Sequence, residues 1–229
     1  RMIGTVINVG TVVAGAGIGL LVGKRIPDRI HETIFKGLGL LTLVIGVKMS
    51  LETNNVLVLM ASTLLGGLVG DWVGIQRRLD QLGQYFQARI GEGRGRFSEA
   101  FVTSSLVFCV GPMTILGSIQ DGLTGDYTLL TMKSMLDAFS SMAFSATLGA
   151  GVLLSALTVF LFQGGLTLSA SLLDGQLTEP MVAEMTACGG LMLLGIGLVL
   201  LDLTRPRVAN FLPSLLIAPL IVRLAMVLT

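Results

Sequence analysis

Residues 129–173 limit most strongly what this chain can fold into. Over these 45 residues Lys133, Asp137 and Gln163 are the only charged or amide side chains. As one helix the stretch would reach roughly twice the thickness of a bilayer's hydrocarbon core, so it has to turn back on itself. Gly149-Ala150-Gly151 is where the backbone is freest to turn tightly. Two helices are therefore predicted, over 129–148 and 151–173.

Six further apolar runs, 3–23, 34–51, 55–75, 101–119, 184–202 and 208–228, each have the length of one membrane crossing. The fold class expected is all-α, a polytopic bundle of about eight transmembrane helices in a single transmembrane domain over 1–229. Composition agrees: 52% of residues are hydrophobic, 13% are charged, and mean hydropathy is +0.84. That is too little charge to cover a water-soluble domain of this length. Thirty glycines and eleven methionines suit membrane helices that pack through small residues. The first run continues into Lys24 and Arg25 without a small-residue cleavage site, so it reads as a span and not a cleaved leader.

The distribution of basic residues tests the span count. With eight spans, the loops 24–33, 76–96, 149–150 and 203–207 share one side and hold Lys24, Arg25, Arg29, Arg77, Arg78, Arg89, Arg94, Arg96, Arg205 and Arg207. The loops 52–54, 120–128 and 174–183 on the other side hold no Lys or Arg. Both termini are then expected outside. Within 76–96, the stretch QRRLDQLGQYFQARIG reads as an orientation signal, or as a short amphipathic helix on the cytoplasmic membrane surface.

An internal repeat is also legible. Leu20-Leu21-x-Gly23, Glu32 and Gly37 match Leu172-Leu173-x-Gly175, Glu184 and Gly189 at an offset of 152. Beyond them LVIG46 resembles GIG197 after a one-residue shift, and each half continues through an Asn (Asn55, Asn210) into another apolar helix. Repeat A covers about 2–75, the central helices about 97–148, and repeat B about 151–228. Helices 1 and 6 of this count cross in opposite directions, so the repeat is inverted, the arrangement used by alternating-access transporters.

Polar groups at membrane depth cost free energy and mark paths, pairs or sites. Asp137 is the sharpest case. Lys133 precedes it by four residues on the same helical face, where the two can pair. Ser134, Ser141 and Ser145 extend that face, and Gln163 falls near the midplane of its own helix. A second cluster is CVGPMTILGSIQDGLTGD over 109–126, where Pro112 and several glycines interrupt an apolar helix and Gln120, Asp121 and Asp126 follow at the outer end. Helix breaks at membrane depth free backbone groups that can bind ions. Asn8 in the first helix is a weaker candidate, and Asn210 reads as the cap of its own helix.

Other chemistries find little support. GLVGD71 and GLTGD126 carry two aspartates, but the glycine spacing differs from that of aspartyl intramembrane proteases. The one histidine, His31, lies in a basic loop, which disfavours a His-rich zinc or haem site and a Ser-His hydrolase. No Walker motif is present, and GAGIG at 15–19 follows no strand. Cys109 and Cys188 lie in separate apolar runs without metal spacing. The expectation is a protein that is not an enzyme, with no cofactor and no nucleic-acid partner; the sequence assigns no metal.

The sequence resembles the bacterial YdfK/YqgA-like membrane proteins, the family called domain of unknown function 554. The resemblance rests on MIGTVINVGTVVAGAGIGLLVG, VGPMTILGSIQDGLTGD, KSMLDAFSSMAFSATLGAGVLLSA, GGLMLLGIGLVLL and NFLPSLLIAPL, and extends from Met2 to about Arg223. It implies a bacterial inner (cytoplasmic) membrane protein and supplies no functional residues. SMLDAF is also similar to the MDAF-type segment of small manganese exporters, where the Asp helps to move the cation.

The reading reached from sequence is a secondary transporter or channel-like permeation protein for a small ion or polar solute. Asp137 is its main charged group and Lys133 the partner, while Gln120, Asp121, Gln163, Ser141 and Asn8 supply further contacts. The alternative is a non-transporting membrane scaffold or accessory subunit. The lipid bilayer is the expected surrounding, and the sequence leaves a homo-oligomer open.

Overall fold

The computed structural model describes residues 2–23, 27–90, 97–109, 112–173 and 177–228. Lys24, Arg25, Arg94, Arg96 and Gly175, which carried part of the charge and repeat arguments, lie outside them. Among the described residues every regular element is a helix. These are α1 (Ile3–Gly23), α2 (Asp28–Ser50), α3 (Val56–Val73), α4 (Ile75–Ile90), α5 (Phe97–Cys109), α6 (Pro112–Thr124), α7 (Thr128–Leu148), α8 (Gly151–Leu168), α9 (Ala170–Leu173), α10 (Glu179–Leu200) and α11 (Ser214–Leu228). A 3-10 turn, Val208–Phe211, precedes α11.

Among the described residues six helical stretches are long and apolar enough to cross a membrane: Ile3–Gly23, Glu32–Ser50, Val56–Val73, Gly151–Leu168, Glu179–Leu200 and Val208–Met226. The bent pair α5–α6 brings the number to seven. The eighth span of the sequence count is α7. It is 21 residues long, but Lys133, Asp137 and its hydroxyl side chains lower its apolarity.

The run predicted as one helix over 101–119 is two helices of 13 residues each, set 60° apart. Each rises about 20 Å, short of the roughly 30 Å core. Pro112 opens α6, where its missing N–H costs nothing. The predicted turn at 149–151 is present: Gly149 takes φ 92° and ψ −161°, a region that glycine alone enters freely, and α8 starts at Gly151.

The chain forms two compact units. The first comprises 1–35 and 79–174, the second 36–78 and 175–229. In the first, α1 lies along α7 and α8, and α5 and α6 pack on α8. Glycines set the α1–α7 distance. A Cβ at Gly15 would collide with the Ala138 carbonyl and Ser141 Oγ, and one at Gly19 with the Met142 carbonyl and Ser145 Oγ. Lipid gives two apolar helices little reason to associate, so close backbone approach supplies the attraction.

In the second unit α3 and α10 pack on α11, and α2 packs on α10 through glycine notches. A Cβ at Gly46 would meet Leu194 N at 2.8 Å and Gly190 O at 2.9 Å; one at Gly197 would meet the Leu43 side chain at 2.6 Å. One at Gly190 would run into Met49 and Ser50, and one at Gly39 would reach the Leu201 and Leu200 side chains at 2.9 and 3.2 Å.

Glu184, 1% exposed, ties α10 to the loop before α3. Its carboxylate accepts from Thr53 Oγ1 at 2.8 Å, Asn54 N at 2.8 Å and Asn55 N at 2.9 Å. Asn55 in turn caps α3 through Leu57 N at 3.0 Å. Glu184→Gln keeps the shape but weakens these charge-assisted bonds and turns an amide donor onto them. It is expected to cost about 1–2 kcal/mol, read as a lowered melting temperature.

Asn210 does not cap its own helix. Its Oδ1 accepts from Gln76 N at 2.8 Å, its Nδ2 donates to Asp71 Oδ1 at 3.0 Å, and Gln76 Oε1 accepts from Ala209 N at 3.1 Å. It lies in the 3-10 turn and caps the start of α4, because α11 begins only after Pro213.

Candidate functional site

The first unit concentrates its buried polar groups where α1, α7 and α8 cross. On α7, Lys133 is 6% exposed and Asp137 7%. Spaced by one helical turn, they form the predicted ion pair, with Lys133 Nζ donating to Asp137 Oδ2. The same oxygen accepts from Asn8 Nδ2 of α1 at 3.0 Å. Asn8 Nδ2 also donates to Gln163 Oε1 of α8 at 2.9 Å.

From there the network runs outward along α8. Gln163 Nε2 donates to Thr5 Oγ1 at 3.3 Å, and the hydroxyls of Thr5 and Thr167 lie 3.4 Å apart. Thr167 Oγ1 donates to the Gln163 carbonyl at 3.0 Å, so its single proton is used there and Thr5 is the donor to Thr167. Asn8, Thr5 and Gln163 are fully buried. In and beside this network two buried acceptors have no donor, Asn8 Oδ1 and Asp121 Oδ1. Asp121, also fully buried, uses its other oxygen to accept from Gly4 N at 3.2 Å.

The helix break is close to the same place. α5, which ends at Cys109, packs on α7. The final carbonyls of a helix have no intrahelical partner; here Phe108 O accepts from Thr114 Oγ1 at 3.3 Å.

Of the seven residues expected from sequence, five meet or adjoin this cluster. Asn8, Lys133, Asp137 and Gln163 are hydrogen-bonded in one network, and Ser141 lies one turn beyond Asp137 with its proton donated to Ala138 O at 2.9 Å. Asp121 is buried one turn of α1 away. Gln120 stands apart: it donates to Asp126 Oδ2 at 2.9 Å on the exposed turn after α6. There Thr128, through its hydroxyl and its N–H, holds the Asp126 carboxyl below the usual carboxylate range. Sequence reasoning missed Thr5 and Thr167. Both are one turn from an amide already singled out, Asn8 and Gln163, and that spacing was the available signal.

Among the described residues no three His, Cys, Asp or Glu side chains gather as a metal site. A pocket in the second unit, about 310 Å³ in empty volume, is walled by Leu191, Met192, Val208 and Phe211 and offers one hydroxyl, that of Thr63. Among the described residues the buried ion pair is in the first unit.

Comparison with known proteins covers nearly the whole chain. A family model described as "Protein of unknown function (DUF554)" matches residues 3–223. The uncharacterized membrane protein YdfK of Bacillus subtilis (strain 168) is 29% identical over 225 residues, 96% of either chain. The uncharacterized protein YqgA of Escherichia coli (strain K12) is 31% identical over 222 residues, 95% of this chain and 94% of that one. No solved structure matches.

Proposed function

The chain belongs to the DUF554 family, and we propose that within this family it is a secondary transporter or channel-like permeation protein for a small cation or polar solute, not an enzyme. The observation that carries the proposal is the buried network from Lys133 and Asp137 through Asn8 and Gln163 to Thr5. It lies inside helices otherwise built for lipid and ends with an acceptor, Asn8 Oδ1, that has no donor. A network whose only task was to lock helices together would satisfy itself, because each buried unpaired group costs about 1–3 kcal/mol. In this scheme a cation or proton competes with Lys133 for Asp137 and takes Asn8 Oδ1 as a further ligand.

The inverted repeat is part of the proposal, and its support is a pattern of reciprocal contacts. Exchanging Gly46 for its counterpart Gly197 turns the Gly46–Leu194 contact into Gly197–Leu43; exchanging Gly190 for Gly39 turns Gly190–Met49/Ser50 into Gly39–Leu200/Leu201. Each of these contacts occurs. Counterpart helices also pack antiparallel. Thr5 and Asn8 of α1 face Thr167 and Gln163 of α8, while Gly66 and Gly70 of α3 face Ser214 and Asn210 near α11. This is what a pseudo-two-fold axis in the membrane plane produces. The basic loops then face the cytoplasm and both termini the outside of a bacterial inner membrane, an orientation open to reporter fusions at either end.

The test is flux through the full chain in phospholipid vesicles carrying an internal pH dye, under imposed proton, Na⁺ and K⁺ gradients. Wild type is expected to conduct above empty vesicles, and Asp137→Asn to return flux to their level while its melting curve stays cooperative. Wild-type flux from the Asn variant removes Asp137 from the mechanism. A second reading, a non-transporting scaffold or accessory subunit, is favoured by the closure of the Lys133–Asp137 pair within one helical turn. Absence of wild-type flux under every gradient selects it.

A further inference from the structure

Among the described residues of the first unit three charged side chains are buried: Asp121, Lys133 and Asp137. Lys133 and Asp137 neutralise each other, whereas Asp121 has no basic partner among the described residues. We propose that Asp121, where α6 meets the first turn of α1, is a binding site for a singly charged alkali cation.

Charge supports this first. The N-terminus of α1 presents roughly half a positive charge to the carboxylate that accepts from Gly4 N, which leaves about half a negative charge uncompensated in a fully buried position. Coordination supports it next. Asp121 Oδ1 has no donor. A carboxylate oxygen is a hard ligand, the type that takes alkali and alkaline-earth ions. With Asp137 already matched by Lys133, a single free carboxylate balances one positive charge and not two. The position is held by backbone contact, since a Cβ at Gly122 would collide with the Thr167 carbonyl of α8. Access is short. Asp121 is three residues from the end of α6 at Thr124, and the adjacent Gln120 is bonded to exposed Asp126.

Few other charged groups surround it. Of the elements packed on α6, α1, α8 and α9 carry no ionisable side chain, and α7 presents Lys133 and Asp137. Asp126 is the nearest charge along its own chain.

The site deepens the permeation reading by supplying a cation-binding group between the outer end of the bundle and Asp137, but it is tested without flux. The full chain in detergent is melted in NaCl, KCl or N-methylglucamine chloride of equal ionic strength. The melting temperature is expected to rise saturably with Na⁺ or K⁺ and not with N-methylglucamine. Asp121→Asn should be flat throughout, and Gly17→Ala, where a Cβ would meet nothing within 4 Å, should keep the wild-type pattern. Should Asp121→Asn fail to fold, equilibrium binding of ²²Na⁺ to the wild type reads the same site, with saturable binding expected. A wild type indifferent to the cation overturns the site. Cation binding without flux leaves it standing and removes the transport reading. Flux that survives in Asp121→Asn, with no cation effect on melting, removes this site alone.

Discussion

Lys133→Met is expected to destabilise the protein by about 3–5 kcal/mol, the cost of leaving one member of a buried ion pair uncompensated. Methionine keeps the length of the lysine stem, so packing loss is minor and the charge is what changes. Asp137 would retain a single hydrogen bond, from Asn8 Nδ2 at 3.0 Å, in a position 7% exposed. The second variant separates structure from function. Lys133→Met/Asp137→Leu removes both charges and should recover most of the lost stability, because an apolar pair of similar volume is often as stable as the ion pair it replaces. Flux should not recover with it. A double variant that melts like wild type yet conducts nothing assigns the pair to permeation; one that melts and conducts like wild type reduces the pair to a packing element. A Lys133→Met melting curve superimposable on that of wild type would mean that Asp137 does not depend on this lysine, and the competition scheme would fall.

The sequence was informative wherever one helix or one turn decided the outcome. Lys133 and Asp137 are four apart on one helix, so their pairing is a local fact. The turn at Gly149 was legible because only glycine suits its backbone. The interruption at Pro112 was visible, but not that it separates two helices by 60°, since a proline in an apolar run is compatible with a kink as well as a break. What depends on packing between distant segments was not legible. Asn8 and Asp137 are 129 residues apart and meet only because α1 lies along α7. Gln120 and Asp121 are neighbours in sequence, yet about 100° of helical rotation sends one to exposed Asp126 and buries the other against Gly4. Which face of α6 points inward is set by α1 and α8, and no pattern within α6 announces it. Asn210 is a similar case: its type suggested a cap, and the helix it caps lies 134 residues before it.

The same dependence on packing gives the second large effect. Gly15→Leu combined with Gly19→Leu is expected to cost about 3 kcal/mol or more, the upper range for forcing volume into a packed interior. Even a Cβ at these positions would overlap backbone carbonyls of Ala138 and Met142, which cannot move aside as a flexible side chain can. The control is on the same helix. Gly10 and Gly17 have nothing within 4 Å of where a Cβ would stand, so Gly10→Ala and Gly17→Ala should be neutral or stabilising by up to about 1 kcal/mol through helix propensity. The seam also sets the site, because α1 carries Asn8. A separation of α1 from α7 by the width of a side chain would break the 3.0 Å bond to Asp137 and the 2.9 Å bond to Gln163 together. Stability and flux should therefore fall together at positions 15 and 19 and stay unchanged at 10 and 17. If Gly15→Leu/Gly19→Leu melts at the wild-type temperature, α1 and α7 are not in the close contact on which the whole network rests.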